Sequence, residues 1–320
     1  MPYLREHYGW DNEQALWFAF INGNTQHPVT SLLLHQQFPY PDRHKALLDH
    51  FYHHYEQYEF DTDRRYHKKP MWRAVRGYIE MLNGRPQEDF WVDMATGGFS
   101  TMWQVATAIP TFGRLSAFSY LEYVRIMGIP FDCDTLFLND MSGSRSHRNG
   151  LCIVNGQEQY DWHSSNPGFN GKYTTPHITE LETLGATLIR EMRTRAAGQA
   201  YGYDVSYFTL ESTLCTYKSW HRPNRRYPNV YNDMLYNRIR KSESRWPEQD
   251  LSIFWQARAD LLPDYLRLED MPHDPGLVAL KQNHYRLTGE VIMMDKDYPQ
   301  YSNSFNDAVD RQELPRRSDT

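Results

Sequence analysis

Apolar residues recur at helical spacing along most of this chain, and this periodicity most restricts its possible folds. In TTPHITELETLGATLIREMRTRAAG they form the stripe of an amphipathic helix: Ile178, Leu181, Leu184, Leu188 and Met192. Similar spacing predicts helices over residues 13–21, 29–38, 43–58, 70–84, 100–109, 114–127, 205–220, 227–242 and 251–260. Residues 142–173 look irregular, and only GLCIVNG within them suggests a short strand. The chain is therefore predicted to be mainly α.

The length of the chain and its lack of linkers predict one large domain. The sequence has 320 residues, which suffice for a substantial core, and no repeat or low-complexity linker divides it. We expect a single helical catalytic domain over residues 8–270 and a partly disordered C-terminal extension over 271–320. No window approaches the length of an apolar membrane span and the N-terminus lacks an apolar targeting segment, which predicts a cytoplasmic protein without a membrane partner.

Cysteine and histidine spacing gives no metal-site pattern. The three cysteines lack paired CxxC spacing, which argues against structural zinc and a disulfide framework. His50 and His54 lie four residues apart on a predicted helix, but Phe51 stands where the H-E-x-x-H motif needs glutamate, and a polar helix face is the alternative. We predict no catalytic metal. No phosphate-binding loop or dinucleotide fingerprint occurs either, so we expect no cofactor.

A Pro-x-x-Gly turn, within IPTFG, joins two of the predicted helices. Such a turn exposes backbone N–H groups at the start of the second helix, where the helix dipole attracts a phosphate. Gly113 would allow close approach of the backbone. We therefore expect Thr111, Phe112, Gly113 and Arg114 to bind DNA. A purely structural turn is the alternative.

The residues that follow extend this pattern. IPTFGRLSAFSYLEYVRIMGIPFDCDTLFL resembles the helix-hairpin-helix, Gly/Pro-rich loop and aspartate signature of the DNA glycosylase superfamily, with GIP at 128–130 as the loop and Asp134 twenty-one residues after Gly113. The resemblance implies a helix-hairpin-helix DNA glycosylase-like fold in which Asp134 acts on a flipped nucleotide. A capping role for Asp134, or Asp132 in its place, are the alternatives. Leu115 stands where strand-cleaving members carry lysine, so lyase chemistry is not supported.

Two further segments narrow the resemblance. EQALWFAFINGNTQHPVTSLLLHQQFP and YFTLESTLCTYKSWH are similar to the viral amino acid:DNA transferases, also called alpha-glutamyl/putrescinyl thymine pyrophosphorylases. That family implies DNA containing pyrophosphate-activated 5-hydroxymethyluracil as one substrate and a free amino acid or amine as the other, with pyrophosphate released in the host cell cytoplasm. A monofunctional DNA glycosylase and a non-catalytic DNA-binding protein of the same fold are the rival functions.

The chemistry implied by this family needs a base that takes a proton from the attacking amine. Asp134 or Glu211 could serve. Glu211, Cys215 and Lys218 are spaced so that they share one helical face, which suggests that the lysine holds the carboxylate of an amino acid substrate. The alternative is an internal ion pair beside a packed cysteine.

Positive charge must also stabilise the leaving pyrophosphate. The sequence offers two clusters for it: Arg145 and Arg148 in SGSRSHRNG, and Lys218, His221, Arg222, Arg225 and Arg226 in YKSWHRPNRRY. Residues 190–245 contain eleven Lys or Arg against five Asp or Glu, although the net charge of the chain is -6. Plain contact with the phosphate backbone of DNA is the alternative role of these clusters.

The polar segment NGNTQHP lies between two predicted helices near the N-terminus. Asn22, Asn24 and Gln26 in it could read a base edge or fill the space left by a flipped base, as a base pocket would. An ordinary Asn-Gly turn is the alternative.

Overall fold

Helices make up the regular structure of this chain in a computed structural model, which describes residues 1–133, 136, 138, 145–157, 175–197, 205–220 and 230–262. The described residues contain no strand, so the prediction of a mainly α protein is confirmed. The glycosylase-like arrangement of these helices stays a prediction. No helix within the described part of the chain is both long enough and apolar enough to span a membrane.

The chain divides into two compact units, Met1–Asp134 and Thr135–Thr320. The single domain predicted over residues 8–270 remains a prediction, and the extension predicted over 271–320 lies outside the described residues. The first unit contains α1 (Pro2–Tyr8), α2 (Asn12–Thr25), α3 (Pro28–Gln37), α4 (His44–His54), α5 (Met71–Leu82), α6 (Gln87–Thr96), α7 (Gly98–Ala108) and α8 (Arg114–Ile126). Short 3-10 helices cover Pro41–Arg43, Tyr55–Gln57 and Thr62–His67.

Helix α2 is the centre of the first unit, where it packs on α3, α6 and α8. It begins at a capping box, in which the Asp11 side chain accepts from the Gln14 amide and the Gln14 side chain accepts from the Asp11 amide. Its residues from Ala15 to Thr25 are all buried, so apolar contact on every side stabilises it. At Gly23 the helix approaches α8 so closely that an added Cβ would lie 3.2 Å from the Tyr120 Cβ.

The second unit contains α9 (Arg145–Val154), α10 (Thr175–Ala196), α11 (Tyr207–Trp220), α12 (Val230–Arg245) and α13 (Ser252–Leu261). Its core includes the apolar stripe predicted for α10, with Ile178 and Leu181 buried and Leu184, Leu188 and Met192 packed against them. Helices α9 and α11 are in backbone contact, because a Cβ on Gly150 would lie 2.3 Å from the Leu214 carbonyl oxygen. This contact fixes the distance between the two helices.

Two sequence predictions need correction. The strand predicted in GLCIVNG is wrong, since residues up to Val154 belong to α9. The run of four apolar residues from Leu151 to Val154 fits either structure, and here it lies in the helix that contacts α11 at Gly150. The turn predicted over NGNTQHP is also mostly helical, because α2 continues to Thr25 and only Gln26 and His27 separate it from α3. Helices α1 and α6 were not predicted.

Substitution of Gly150 tests the contact between α9 and α11. We expect Gly150→Ala to lower the free energy of unfolding by about 3 kcal/mol, because the new methyl group meets rigid backbone. Gly185→Ala is the matched control: its Cβ would meet the Leu136 Cδ1 methyl at 2.9 Å, which a flexible side chain can move away. Urea denaturation of the three proteins measures the difference. Equal effects of the two substitutions would contradict the close contact.

His35 makes stability depend on pH. Burial lowers the pKa of His35 to about 4, although its Nε2–H donates to the Gln14 carbonyl. Between pH 6.5 and about 4, His35 is protonated in the unfolded chain but neutral in the folded chain. The free energy of unfolding therefore falls as the pH falls through this range, by on the order of 3 kcal/mol. In His35→Gln this part of the pH dependence should disappear, whereas exposed His53→Gln should retain it. Parallel stability curves for wild type and His35→Gln would refute the assignment.

Candidate functional site

The predicted turn at residues 109–113 joins α7 to α8, and its inner side packs against α5. Pro110 packs against α5 at Gly77, where an added Cβ would lie 2.4 Å from the proline Cδ. Gly113 is the N-cap of α8, with extended backbone, and a Cβ there would meet nothing within 4 Å. Neither its backbone angles nor internal packing therefore requires glycine at 113. Its lack of a side chain leaves room in front of the helix N-terminus.

A buried arginine holds this turn against the end of α2. The Arg64 side chain is fully buried. It donates to the Thr111 carbonyl at 2.6 Å and Oγ1 at 3.1 Å, and to the Asn24 carbonyl at 2.9 Å and Oδ1 at 3.1 Å. Its guanidinium carbon also lies 4.9 Å from the centroid of the Phe112 ring. One planar fork thus links two segments that are far apart in the sequence.

These contacts explain an unusual backbone at Thr111. Its φ of 72° lies in the left-handed region, which is unfavourable for a β-branched residue. The Arg64 fork binds both oxygens of Thr111 and so keeps it in this conformation.

The four residues predicted to bind DNA have different environments. Phe112 is buried and stacks in the core against Phe20 and Tyr120, so its side chain supports the turn from inside. Gly113 is exposed, while Thr111 and Arg114 are half-buried. Backbone and arginine, rather than the aromatic ring, form the accessible part of the turn.

The three residues predicted for a base pocket are all buried, and each makes an internal hydrogen bond. Asn22 Oδ1 accepts from Ser31 at 2.9 Å, and Asn24 Nδ2 donates to the Phe20 carbonyl at 3.0 Å in addition to its contact with Arg64. Gln26 differs: its Oε1 accepts from Tyr123 at 3.4 Å, but within the described residues its Nε2 is buried without a hydrogen-bond partner. Whichever way the amide is oriented, one of its polar atoms stays unpaired.

The second unit contains a cluster of reactive side chains between α9 and α11. His147 Nδ1 lies 3.0 Å from Glu211 Oε1, and Cys215 Sγ donates to the same oxygen at 3.3 Å. His147 is buried and Glu211 is mostly buried. The contact between Glu211 and Cys215 agrees with the predicted shared helical face. The closeness of α9 at Gly150 brings the histidine to this face.

The hydrogen bonds of the cluster restrict where its hydrogens can lie. His147 Nε2 lies 2.6 Å from the Leu136 carbonyl, which only accepts, so this nitrogen carries a hydrogen. The contact between Nδ1 and Glu211 then needs a second proton, on the imidazole or on the carboxyl group. Cys215 also donates to this carboxyl group, so one oxygen of Glu211 contacts both of the other side chains.

The same three side chains could accept a metal ion. The ligand atoms of His147, Glu211 and Cys215 all lie within 4.8 Å of one another, and zinc takes these ligand types. Their mutual hydrogen bonds satisfy the same atoms without a metal. The predicted absence of a catalytic metal therefore remains a prediction, and this cluster is the place to test it.

The predicted phosphate-binding residues are only partly described. Arg148 is fully buried, and its Nη1 donates to the Leu138 carbonyl at 3.0 Å, so it has a structural partner within the second unit. Arg145 begins α9 and Lys218 lies in the last turn of α11, but their side chains are not described. Outside the described residues lie Asp134, His221, Arg222, Arg225 and Arg226.

Sequence reasoning missed two residues that organise these sites, Arg64 and His147. The partners of Arg64 lie 40 and 47 positions away, and the carboxylate partner of His147 lies 64 positions away. Local patterns cannot reveal contacts of this kind. The sequence pointed to His147 only by its position beside Arg148, in the basic segment SGSRSHRNG.

Comparison with known proteins adds independent information. A family profile described as amino acid:DNA transferase matches residues 1–226. A protein named serinyltransferase, from Salmonella phage ViI, is 28% identical over 293 residues, which cover 87% of this chain and 71% of that protein. No solved structure matches the chain significantly.

Arg64 can be tested by its effect on stability. We expect Arg64→Met to lower the free energy of unfolding by about 3 kcal/mol, because buried acceptors on Asn24 and Thr111 lose their donor. The neighbouring Arg65 is exposed, and Arg65→Met should change stability by about 0.5 kcal/mol or less. Chemical denaturation of both variants measures this contrast. A small effect of Arg64→Met would mean that the fork does not hold the turn.

Proposed function

Because this chain belongs to the amino acid:DNA transferase family, it is an enzyme that transfers an amino acid to DNA, and we propose that the acceptor is the C5 methylene of pyrophosphate-activated 5-hydroxymethyluracil. In this reaction the amine nitrogen bonds to the methylene carbon while the bond from that carbon to the pyrophosphate oxygen breaks. The amine gives up a proton to a base, and pyrophosphate leaves. The DNA thus retains the amino acid.

The position of Glu211 is the observation that carries the assignment of the base. Its Oε1 is occupied by His147 and Cys215, whereas its Oε2 makes no hydrogen bond to the described residues. In the carboxylate form of Glu211, Oε2 can accept the proton of the incoming amine. Asp134 is the second candidate for this role, through the glycosylase-like signature in the sequence.

The leaving group requires cations close to this carboxylate. Lys218 lies on the same helix as Glu211, two turns further along, and Arg145 begins the helix that contains His147. We propose that these two residues, with His221, Arg222, Arg225 and Arg226, bind the substrate carboxylate and the pyrophosphate. Concentrated positive charge there would stabilise the charge that develops as pyrophosphate departs.

The first unit supplies features suited to DNA. The N-terminus of α8 has glycine in front of it, so a phosphate oxygen can approach the backbone N–H groups closely. Thr111 and Arg114 flank this position. Of the three predicted base-pocket residues, Gln26 is the one with a buried amide nitrogen that lacks a partner within the described residues, so a flipped base could pair with it only after its cover opens.

The identity of the amino acid can be proposed from the phage relative. That protein is named a serinyltransferase, so serine is the first co-substrate to test with this chain. We propose an amino acid that attacks through its amine and whose carboxylate pairs with a cation such as Lys218.

Product analysis tests the proposed function. The protein is incubated with DNA that contains activated 5-hydroxymethyluracil and with a mixture of amino acids that includes serine, and nucleosides and pyrophosphate are measured by mass spectrometry. We expect a nucleoside that is heavier than 5-hydroxymethyldeoxyuridine by one amino acid residue, together with release of pyrophosphate. Free base with an abasic site would instead identify a monofunctional glycosylase. DNA binding without any product would identify a non-catalytic binding protein.

Substitution of Glu211 tests its role in this reaction. Glu211→Gln should lower the turnover rate by about 10²- to 10⁴-fold, because the amide cannot accept the amine proton. Glu191→Gln, on the exposed side of α10, is the control and should retain full activity. DNA affinity should be similar in both variants, and circular dichroism at the assay temperature checks that Glu211→Gln is folded, since it loses a buried contact with His147. If Glu211→Gln stays active while Asp134→Asn is inactive, Asp134 is the base.

A further inference from the structure

A groove with a volume of about 1140 Å³ lies between α4 and α5 of the first unit, and neither Gln26 nor a residue of the hairpin turn lines it. Its lining combines aromatic rings with cations: Lys45, Tyr52, Tyr55, Lys69, Trp72 and Arg76. Asp49 is the one carboxylate among the described residues that line it. The groove is therefore both basic and rich in aromatic surface.

The aromatic rings are open to solvent. The exposed fraction of Tyr52 is 77% and that of Trp72 is 48%, which is high for rings of this size. Exposed aromatic surface beside a groove is typical of a binding site, since burial inside the protein would otherwise be more favourable. Among the described residues, Tyr52 contacts the His53 ring and Trp72 contacts the Arg76 guanidinium, and neither ring belongs to the buried core.

Cations lie directly beside these rings. The Arg76 guanidinium is 5.1 Å from the centroid of Trp72, and the Lys69 ammonium is 5.6 Å from the centroid of Tyr55. A ligand that offers a flat base and a phosphate in each repeating unit would contact both groups together. Single-stranded nucleic acid has this chemistry, and its recognition combines aromatic stacking with a positively charged groove.

We propose that this groove binds a single-stranded segment of DNA, with bases stacked on Tyr52 and Trp72 and phosphates on Lys45, Lys69 and Arg76. The inference rests on DNA being the macromolecular substrate, as in the proposed function. A duplex hides the faces of its bases, so it could use the cations but not the rings. The groove therefore discriminates single strands from duplex DNA.

Fluorescence anisotropy with a labelled, unmodified oligothymidine tests the proposal. Replacing both rings, in Tyr52→Ala/Trp72→Ala, should weaken binding of the single strand by at least about tenfold, because each stacked base contributes strongly. Binding of a duplex of the same length should change much less. Tyr66→Ala is the matched control, since Tyr66 is 74% exposed but does not line the groove, and it should bind like wild type.

The salt dependence of binding tests the cations. Replacing Lys45, Lys69 and Arg76 by alanine should reduce the slope of log affinity against log salt by about 2 for a single strand. Arg73→Ala, exposed on the same helix but outside the groove lining, should have a smaller effect. An unchanged slope, or equal losses for single strand and duplex in the ring variant, would overturn the proposal.

The two proposals fail in different ways. If wild type yields no amino acid adduct on activated DNA but the ring variant still loses affinity for the unmodified single strand, only the proposed chemistry is wrong. If adduct forms but the groove variants bind the single strand as wild type does, only the groove assignment is wrong. Binding of single strands is measured without activated base or amino acid, so the two measurements are independent.

Discussion

The buried guanidinium of Arg64 is the interaction on which the first unit depends. A buried charged group is tolerated only when its hydrogen bonds are made, and here carbonyl and side-chain oxygens of Asn24 and Thr111 accept them. The same bonds keep Thr111 in its left-handed conformation and bring the hairpin turn to the end of α2. The stability of the first unit and the shape of the hairpin turn therefore have a common cause.

In the second unit a close helix contact, rather than a buried cation, holds the side chains in place. Gly150 lets α9 contact the backbone of α11, and this closeness places His147 beside Glu211. The histidine is fixed again by the Leu136 carbonyl, so both of its ring nitrogens are used. Within the described residues, one oxygen of Glu211 contacts His147 and Cys215, and the other has no hydrogen-bond partner.

The sequence was most informative where local physics decides the structure. The stripe on α10 predicts a helix because apolar residues every three to four positions share one face of a helix but not of a strand. The Pro-x-x-Gly turn predicts the junction of α7 and α8. GLCIVNG was misassigned because a short apolar run fits a strand or a helix until its neighbour is known. The partners of Arg64 and His147 lie too far along the chain for any local pattern to reveal. Glu211 and Gln26 were found as candidates, but the contacts that distinguish Gln26 from Asn22 and Asn24 exist only in the folded chain.

Within the described residues, the buried side-chain nitrogen of Gln26 has no hydrogen-bond partner, and this affects the stability of the first unit. A buried polar atom without a partner costs the folded chain on the order of 1–3 kcal/mol. Any ligand that pairs with this atom removes the penalty from the bound state alone, and so raises the melting temperature by mass action. The protein with this atom unpaired is thereby less stable than one in which the atom has a partner, so the melting temperature reports whether the atom is paired.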